Sequence, residues 1–252
     1  MNILDEIVEY KKKQIEEEKK LKTLEEYMKE AEKRETRNFL KSLRNSEKMA
    51  IISEIKKASP SKGVIKENFS VEEAVEAYEK EDFSAYSVLT ERKYFQGRDE
   101  YINVVKKKSE RPVLRKDFIT DEYQVYQAKA IGADAVLLIA AVLKDRFTEF
   151  FRLSESLGLC PLTEIHSAEE IKYIEESNPY LIGINNRNLE TFRTDIKHTE
   201  EIIKHIPDDR FVISESGIKN AEDLKYLRSI GVRGALIGES LMRNLGDIKK
   251  IF

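Results

Sequence analysis

The stretch Ala50-Ile51-Ile52-Ser53-Glu54-Ile55-Lys56-Lys57-Ala58-Ser59-Pro60-Ser61-Lys62-Gly63 is a β-branched apolar run that turns polar at its end and breaks into a Ser/Pro/Gly loop. Read outward from it, the same texture recurs at 85–89, 112–114, 134–139, 161–165, 181–184, 211–213 and 235–237. The eight starts lie 35, 27, 22, 27, 20, 30 and 24 residues apart. Each gap accommodates a crossover helix, which parallel neighbouring strands require. Eight such units in the roughly 200 residues from Ala50 onward predict an α/β fold, a closed (β/α)8 barrel of the TIM type. An open doubly wound sheet would gather its ligand groups at one switch point. Here polar residues close most of the runs, which favours the barrel.

Punctuation between the runs agrees. Ser70 and Ser167 each stand three residues before a glutamate, the capping-box spacing. Asn220 is the expected N-cap of another helix. Gly132, Gly158 and Gly231 stand where helices should end in a left-handed turn.

Ahead of the barrel the texture differs. The first 37 residues hold 10 Lys/Arg, 11 Asp/Glu and no Gly or Pro. Ile3, Leu4, Ile7 and Val8, then Leu21, Leu24, Met28 and Ala31, recur at helical spacing. The residues alone predict a solvated, ion-paired helix with a thin apolar stripe, interrupted between Val8 and Leu21. The expected organisation is therefore one barrel domain over 1–252, of which 1–49 is a helical N-terminal extension.

Composition removes several classes. Charged residues make up 36% of the 252, yet Lys+Arg 44 against Asp+Glu 47 leaves net −3, so no global field recruits nucleic acid or an anionic membrane. Cys160 is the single cysteine, which excludes an internal disulfide and a cysteine-rich metal site. No metal-ligand or nucleotide-loop motif is present, so no metal is implied. The start has no apolar leader and no run is long enough to span a bilayer, so a soluble cytoplasmic protein is expected.

Chemistry concentrates where the runs end. Glu54 and Lys56 are two residues apart and leave one face of a strand. Lys116, Glu164, Asn185 and Glu215 close four other runs. Any one of them could be a salt bridge under a loop, but six converging on one rim read as an active site, because buried charges are costly unless paired or used. Ser216-Gly217 and Gly238-Glu239 follow the last two runs, where barrels commonly hold a phosphate on backbone N–H groups. The loop 59–63 is a candidate lid. His166 is expected to be packed and hydrogen-bonded, and His198 and His205 to face solvent from a helix.

Taken together, 52–63, 87–91 with Tyr94-Phe95, 112–119, 132–139, 182–189, 214–218 and 236–242 resemble the indole-3-glycerol phosphate synthase family over nearly the whole chain. The Glu54-x-Lys56-x-x-Ser59-Pro60-Ser61 block and Lys116-Asp117-Phe118 are its most specific marks. The resemblance implies ring closure of 1-(2-carboxyphenylamino)-1-deoxyribulose 5-phosphate to indole-3-glycerol phosphate, carbon dioxide and water, in tryptophan biosynthesis, without a cofactor. It implies Lys116 as general acid, Glu164 as a second proton-transfer group, and Glu54 and Lys56 beside the reacting atoms. Asn185 and Glu215 would orient substrate and lysines, and Arg187 would face the substrate carboxylate. Ser59, Ser216, Gly217, Gly238 and Glu239 map to the phosphate end, and Phe95 and Phe118 to the anthranilate ring. The N-terminal segment is similar to a family extension that packs at the barrel mouth. Which of Glu54, Lys56 and Glu164 acts in dehydration stays open. A monomer is expected, with other enzymes of the pathway as candidate partners.

Several positions depart from the family pattern: Thr163 replaces the usual valine and brings a hydroxyl that needs a partner, Tyr86 replaces a smaller aliphatic residue, and Arg98 follows Gly97 in place of a small polar residue. A phosphoribosylanthranilate isomerase would rely on a cysteine/aspartate pair, and Cys160 opens a run rather than ending the first. A non-catalytic barrel would tolerate damage at Lys56, Lys116, Glu164 or Glu215, and all four are intact.

Overall fold

The computed structural model describes residues 3–188 and 191–251, so Leu189 of the family-like motif lies outside the described residues. Eight parallel strands close into a barrel: β1 (Ala50–Ile55), β2 (Ala85–Leu89), β3 (Val113–Lys116), β4 (Ala135–Ile139), β5 (Cys160–Ile165), β6 (Leu181–Asn185), β7 (Phe211–Glu215) and β8 (Gly234–Ile237). Each strand pairs with its chain neighbours, and β8 returns to β1 with Ala50 opposite Gly234. The third strand runs past the expected 112–114 to Lys116, because the ladder to β2 continues through its polar residues. No described helix is long and apolar enough to cross a membrane.

Side chains alternate between two cores. Ile52, Ala85, Leu114, Leu137, Leu162, Ile213 and Leu236 fill the barrel interior. Ile51, Val88, Val113, Val136, Ile165, Ile184 and Ala235 face outward to pack under the helices. This period of two is what a strand buried on both faces produces.

The helix signals differ in how far they hold. Asn220 and Asp223 form a reciprocal capping box. Ser70 caps its helix by accepting from the Glu73 N–H, but no bond returns from Glu73. Ser167 makes no side-chain cap bond. Its expected partner Glu170 instead accepts the His166 N–H at 3.0 Å, which leaves a short 3-10 turn. Gly132, Gly158 and Gly231 have φ of +92°, +72° and +94°, as the helix stops require.

The N-terminal extension departs from the solvated helix that its residues alone predict. Helix α1 (Ile3–Leu21) buries Ile7, Lys11 and Ile15 against the barrel. The apparent break between Val8 and Leu21 holds Lys11 and Ile15, both buried, so the inward face continues through it with a cation at one position. Leu21 and Met28, which extended the stripe on paper, are 88% and 37% exposed. Helix α2 (Leu24–Ala31) sits on the helix Glu122–Ala130 through an edge-to-face Tyr27–Tyr123 pair at 5.1 Å. Helix α3 (Phe39–Arg44) inserts Phe39 and Leu43 into the lower end of the barrel core. Helix α1 therefore lies at the mouth and α3 plugs the base.

Tyr86 is fully buried, with its hydroxyl donating to Glu79 Oε1 at 2.6 Å. Thr163 is different. Its Oγ1 is buried with no hydrogen-bond partner among the described residues. A buried orphan hydroxyl costs about 1–3 kcal/mol, so Thr163→Val is expected to stabilise the fold by about 1 kcal/mol. Urea denaturation checks this, and a lower midpoint in the variant would contradict it.

Candidate active site

Strand parity builds the site. In β1, Ala50 and Ile52 point inward, so Glu54 does too, and Lys56 continues the series just past the strand. Leu114 places Lys116 inward, Leu162 places Glu164, Leu181 places Asn185, and Ile213 places Glu215. One polar layer thus rests directly on the apolar plug. All six side chains line a single cavity of about 580 Å³, together with Ser59, Phe95, Phe118, Arg187, Ser216, Gly217, Gly238 and Glu239. Every site residue expected from the sequence reaches this one opening.

Its centre is Lys116, whose Nζ lies 3.0 Å from Glu164 Oε2 and 2.5 Å from Glu215 Oε2. Asn185 Nδ2 donates to Glu164 Oε1 at 3.2 Å. Lys56 Nζ pairs with Glu54 Oε1 at 2.6 Å. Burial pushes Glu164 up, but the Lys116 ammonium, His166 and the bonds from Lys116 and Asn185 outweigh it and hold the carboxyl down at about 2. Burial likewise pushes Lys116 down, and Glu164, Glu215 and Glu54 reverse this to a net rise. Two carboxylates on one ammonium leave an excess negative charge. Burial, aided by Glu164, places that cost on Glu215, which is pushed up to about 8.

One wall of the cavity is flat and apolar. Phe95 and Phe118 stand 6.1 Å apart with their rings tilted 39°, and Ile3, Leu4 and Ile7 of α1 line the same cavity. At another part of the rim, Ser216 and Gly217 have φ of +67° and +84°, a sharp turn just past β7. A Cβ on Gly238 would overlap Glu54 Oε1 and come within 3.0 Å of Lys56 Nζ, so only glycine lets the backbone approach this closely. Glu239 accepts from Arg243 Nε through its Oε1 at 3.1 Å, and both residues line the cavity.

The segment after β1 is a small hairpin, with Ala58 opposite Val64 and Ser59 opposite Gly63. Arg187 Nη1 donates to Ser61 Oγ at 2.8 Å, so this hairpin is tied to the far side of the mouth. His166 is packed as expected but not hydrogen-bonded: both ring nitrogens are buried without a partner among the described residues. Its Nε2 lies 3.3 Å from Glu164 Oε1, and burial lowers its pKa. His205 is exposed but lies beyond the end of its helix, whereas His198 is half-buried with Nε2 2.7 Å from the His166 carbonyl. The inward apolar residues Leu137, Ile139 and Leu236 also line the cavity. They were readable only as core, because an apolar strand residue looks the same beneath a site as inside a plug.

Comparison with known proteins gives one answer. The family model for indole-3-glycerol phosphate synthase matches residues 4–251. The indole-3-glycerol phosphate synthase of Thermoanaerobacter pseudethanolicus is 52% identical over 249 residues, covering 99% of this chain and 95% of the relative. That of Clostridium acetobutylicum is 51% identical over 251 residues, with coverage of 99% and 95%. Among solved structures, the N-acetylmannosamine-6-phosphate 2-epimerase of Clostridium perfringens superposes with a TM-score of 0.60 at 15% identity, over 80% of this chain and 90% of that one, a likeness of fold alone. Matched along almost its whole length by that family model and by relatives at about half identity, the chain belongs to the indole-3-glycerol phosphate synthase family, the carboxy-lyases that close the indole ring in tryptophan biosynthesis.

Proposed function

We propose that the Lys116-centred layer carries out this cyclisation, and that the residues around it act as follows. The anthranilate ring lies against Phe95 and Phe118, with its carboxylate toward Arg187. The phosphate is held by Ser59 and by the backbone at Ser216, Gly217, Gly238 and Glu239. As the ring carbon attacks the ketone, Lys116 Nζ gives its proton to the ketone oxygen. The carboxylate then leaves as carbon dioxide, and its bonding electrons restore the aromatic ring.

Loss of its proton from Lys116 has a consequence for Glu164. The ammonium is the largest influence opposing burial at that carboxylate. Once it is neutral, burial dominates and Glu164 becomes a stronger base. The hydroxyl departs as water with a proton from Lys56, and Glu164 takes the proton from the adjacent ring carbon. Glu164 returns this proton to Lys116 across their 3.0 Å contact. Solvent reprotonates Lys56, so each turnover consumes one proton, as loss of carbon dioxide from a carboxylate demands. Glu54 holds Lys56 in place, and Asn185 and Glu215 hold Glu164 and Lys116.

The observation that carries this reading is one largely enclosed ammonium held between the carboxyl groups of Glu164 and Glu215 beside an aromatic wall. We also assign the work to a cytoplasmic monomer acting on a small phosphorylated molecule, with size-exclusion chromatography as the check on its state. The direct test is purified protein with the carboxyphenylamino substrate, followed by indole fluorescence. A signal no greater than that of buffer, from folded protein, would defeat the assignment. The same assay has an expected pH profile. Below about 8 Glu215 is neutral; ionising it adds negative charge beside Lys116, which then releases its proton less readily. Turnover should fall as pH rises through about 8, and Glu215→Gln should lose that limb. A descending limb unchanged in the variant would exclude Glu215 as its source.

A further inference from the structure

Lys11 lies in the middle of α1 with a side chain only 1% exposed, and its Nζ is 2.8 Å from Asp117 Oδ1, itself 1% exposed. Lysine is among the residues least often found in this state, and a buried ion pair seldom adds net stability over apolar packing. Its value lies more readily in fixing one arrangement. Asp117 stands between Lys116 and Phe118, both of which face the cavity. The same carboxylate accepts the Phe118 N–H at 2.8 Å and the Thr90 hydroxyl at 2.6 Å, and Arg115 lies 3.5 Å away. Among the described residues, Lys11 is therefore the cation that α1 supplies to the short segment bearing both the acid and the ring wall.

Resting on the functional reading above, we propose that Lys11 is a positioning residue for the reaction. Its pair with Asp117 sets the register in which α1 crosses the mouth, and through Asp117 it holds the backbone from which Lys116 and Phe118 project. The extension then acts in catalysis as more than a cover. Its first turn closes the apolar wall with Ile3, Leu4 and Ile7, while its third turn braces the acid.

The test compares two lysines of the same helix. Lys19 also anchors α1, to Asp121 at 2.8 Å, but its side chain is 35% exposed and it does not touch Asp117. Lys11→Met is expected to lower kcat/KM by about 10–100-fold, the scale of a small misplacement of a reacting group. Most of that loss should fall on kcat, with the Kd for inorganic phosphate within about twofold of the parent, because the phosphate end is built on other segments. Lys19→Met should lose no more than about threefold, since exposed ion pairs are weak. Lys11→Arg should recover part of the loss, because the charge returns.

Amide hydrogen exchange provides a readout independent of turnover: exchange at Phe118 should accelerate in Lys11→Met and not in Lys19→Met. Should Lys11→Met fail to fold, Asp117→Asn removes the charge while keeping one oxygen for the Phe118 N–H and placing its amide NH2 at the Thr90 hydroxyl, and the same losses are expected. A parent-like kcat/KM in folded Lys11→Met, equal losses in the two lysine variants, or unchanged exchange at Phe118 would each overturn the proposal. Absence of turnover in the unmodified protein would instead defeat the functional reading, and the exchange comparison would still decide whether Lys11 braces this segment.

Discussion

Lys116→Ala is expected to reduce turnover by about 10³-fold, within the range of general-acid contributions, while substrate affinity changes only severalfold. The asymmetry follows from geometry. The proposed ring wall and phosphate end rest on Phe95, Phe118, Ser59, Gly217 and Gly238, whereas the ammonium contacts Glu164 and Glu215. Truncation also strips Glu164 and Glu215 of their shared cation. Removing one partner of a buried pair costs about 3–5 kcal/mol in general. Here the cost is reduced because Glu215, already pushed up to about 8, is neutral at pH 7 and leaves one carboxylate to accommodate rather than two. The variant should therefore fold, which circular dichroism checks, and fail in the chemical step, which single-turnover indole fluorescence checks. Turnover near that of the parent would remove lysine from the acid role.

Glu164→Gln separates the later chemistry from the earlier. Ring closure and loss of carbon dioxide need the Lys116 proton and the substrate's own electrons, so both should proceed in the first turnover within about tenfold of the parent rate. Indole formation should fall by about 10²–10⁴-fold, the contribution of a positioned base. Glutamine keeps the carbonyl that accepts from Asn185 or Lys116 but cannot take the ring-carbon proton. The measurement is rapid-quench trapping of labelled carbon dioxide alongside indole fluorescence. Parallel loss of both signals would place Glu164 in the closure step and leave the dehydration base to Glu54.

The proton economy links these two variants to the pH profile. In the proposed cycle Lys116 is reset by Glu164 and Lys56 by solvent, so the two lysines regain their protons by different routes. Their side chains are about equally exposed, 13% for Lys56 and 15% for Lys116, so the difference lies in their partners: Lys56 pairs with Glu54, whereas Lys116 touches Glu164, the group that would recharge it.

Much of this was legible without coordinates, and the reason is periodicity. Strands alternate every second residue, so Ile52 and Glu54, Leu114 and Lys116, or Ile213 and Glu215 must share a face wherever a strand forms. Eight runs with helix-length gaps and polar ends favour closure over an open sheet, and closure brings those ends to one rim. The tight turns at the last two rim junctions were readable because glycine there has a steric meaning, as the positive φ of Gly217 and the close approach at Gly238 show.

Other features depended on packing between segments distant in sequence. A charge run such as Lys11-Lys12-Lys13 gives no local sign that its first member is buried, since burial depends on Asp117 more than a hundred residues later. The orphan Thr163 hydroxyl and the unbonded His166 ring are likewise set by what neighbouring elements fail to provide. Local order in this protein is a property of residue spacing, which the chain carries in its own sequence. The division of protons among Lys116, Glu164 and Glu215 is a property of distances of a few ångströms between three strands, and only the folded barrel sets those distances.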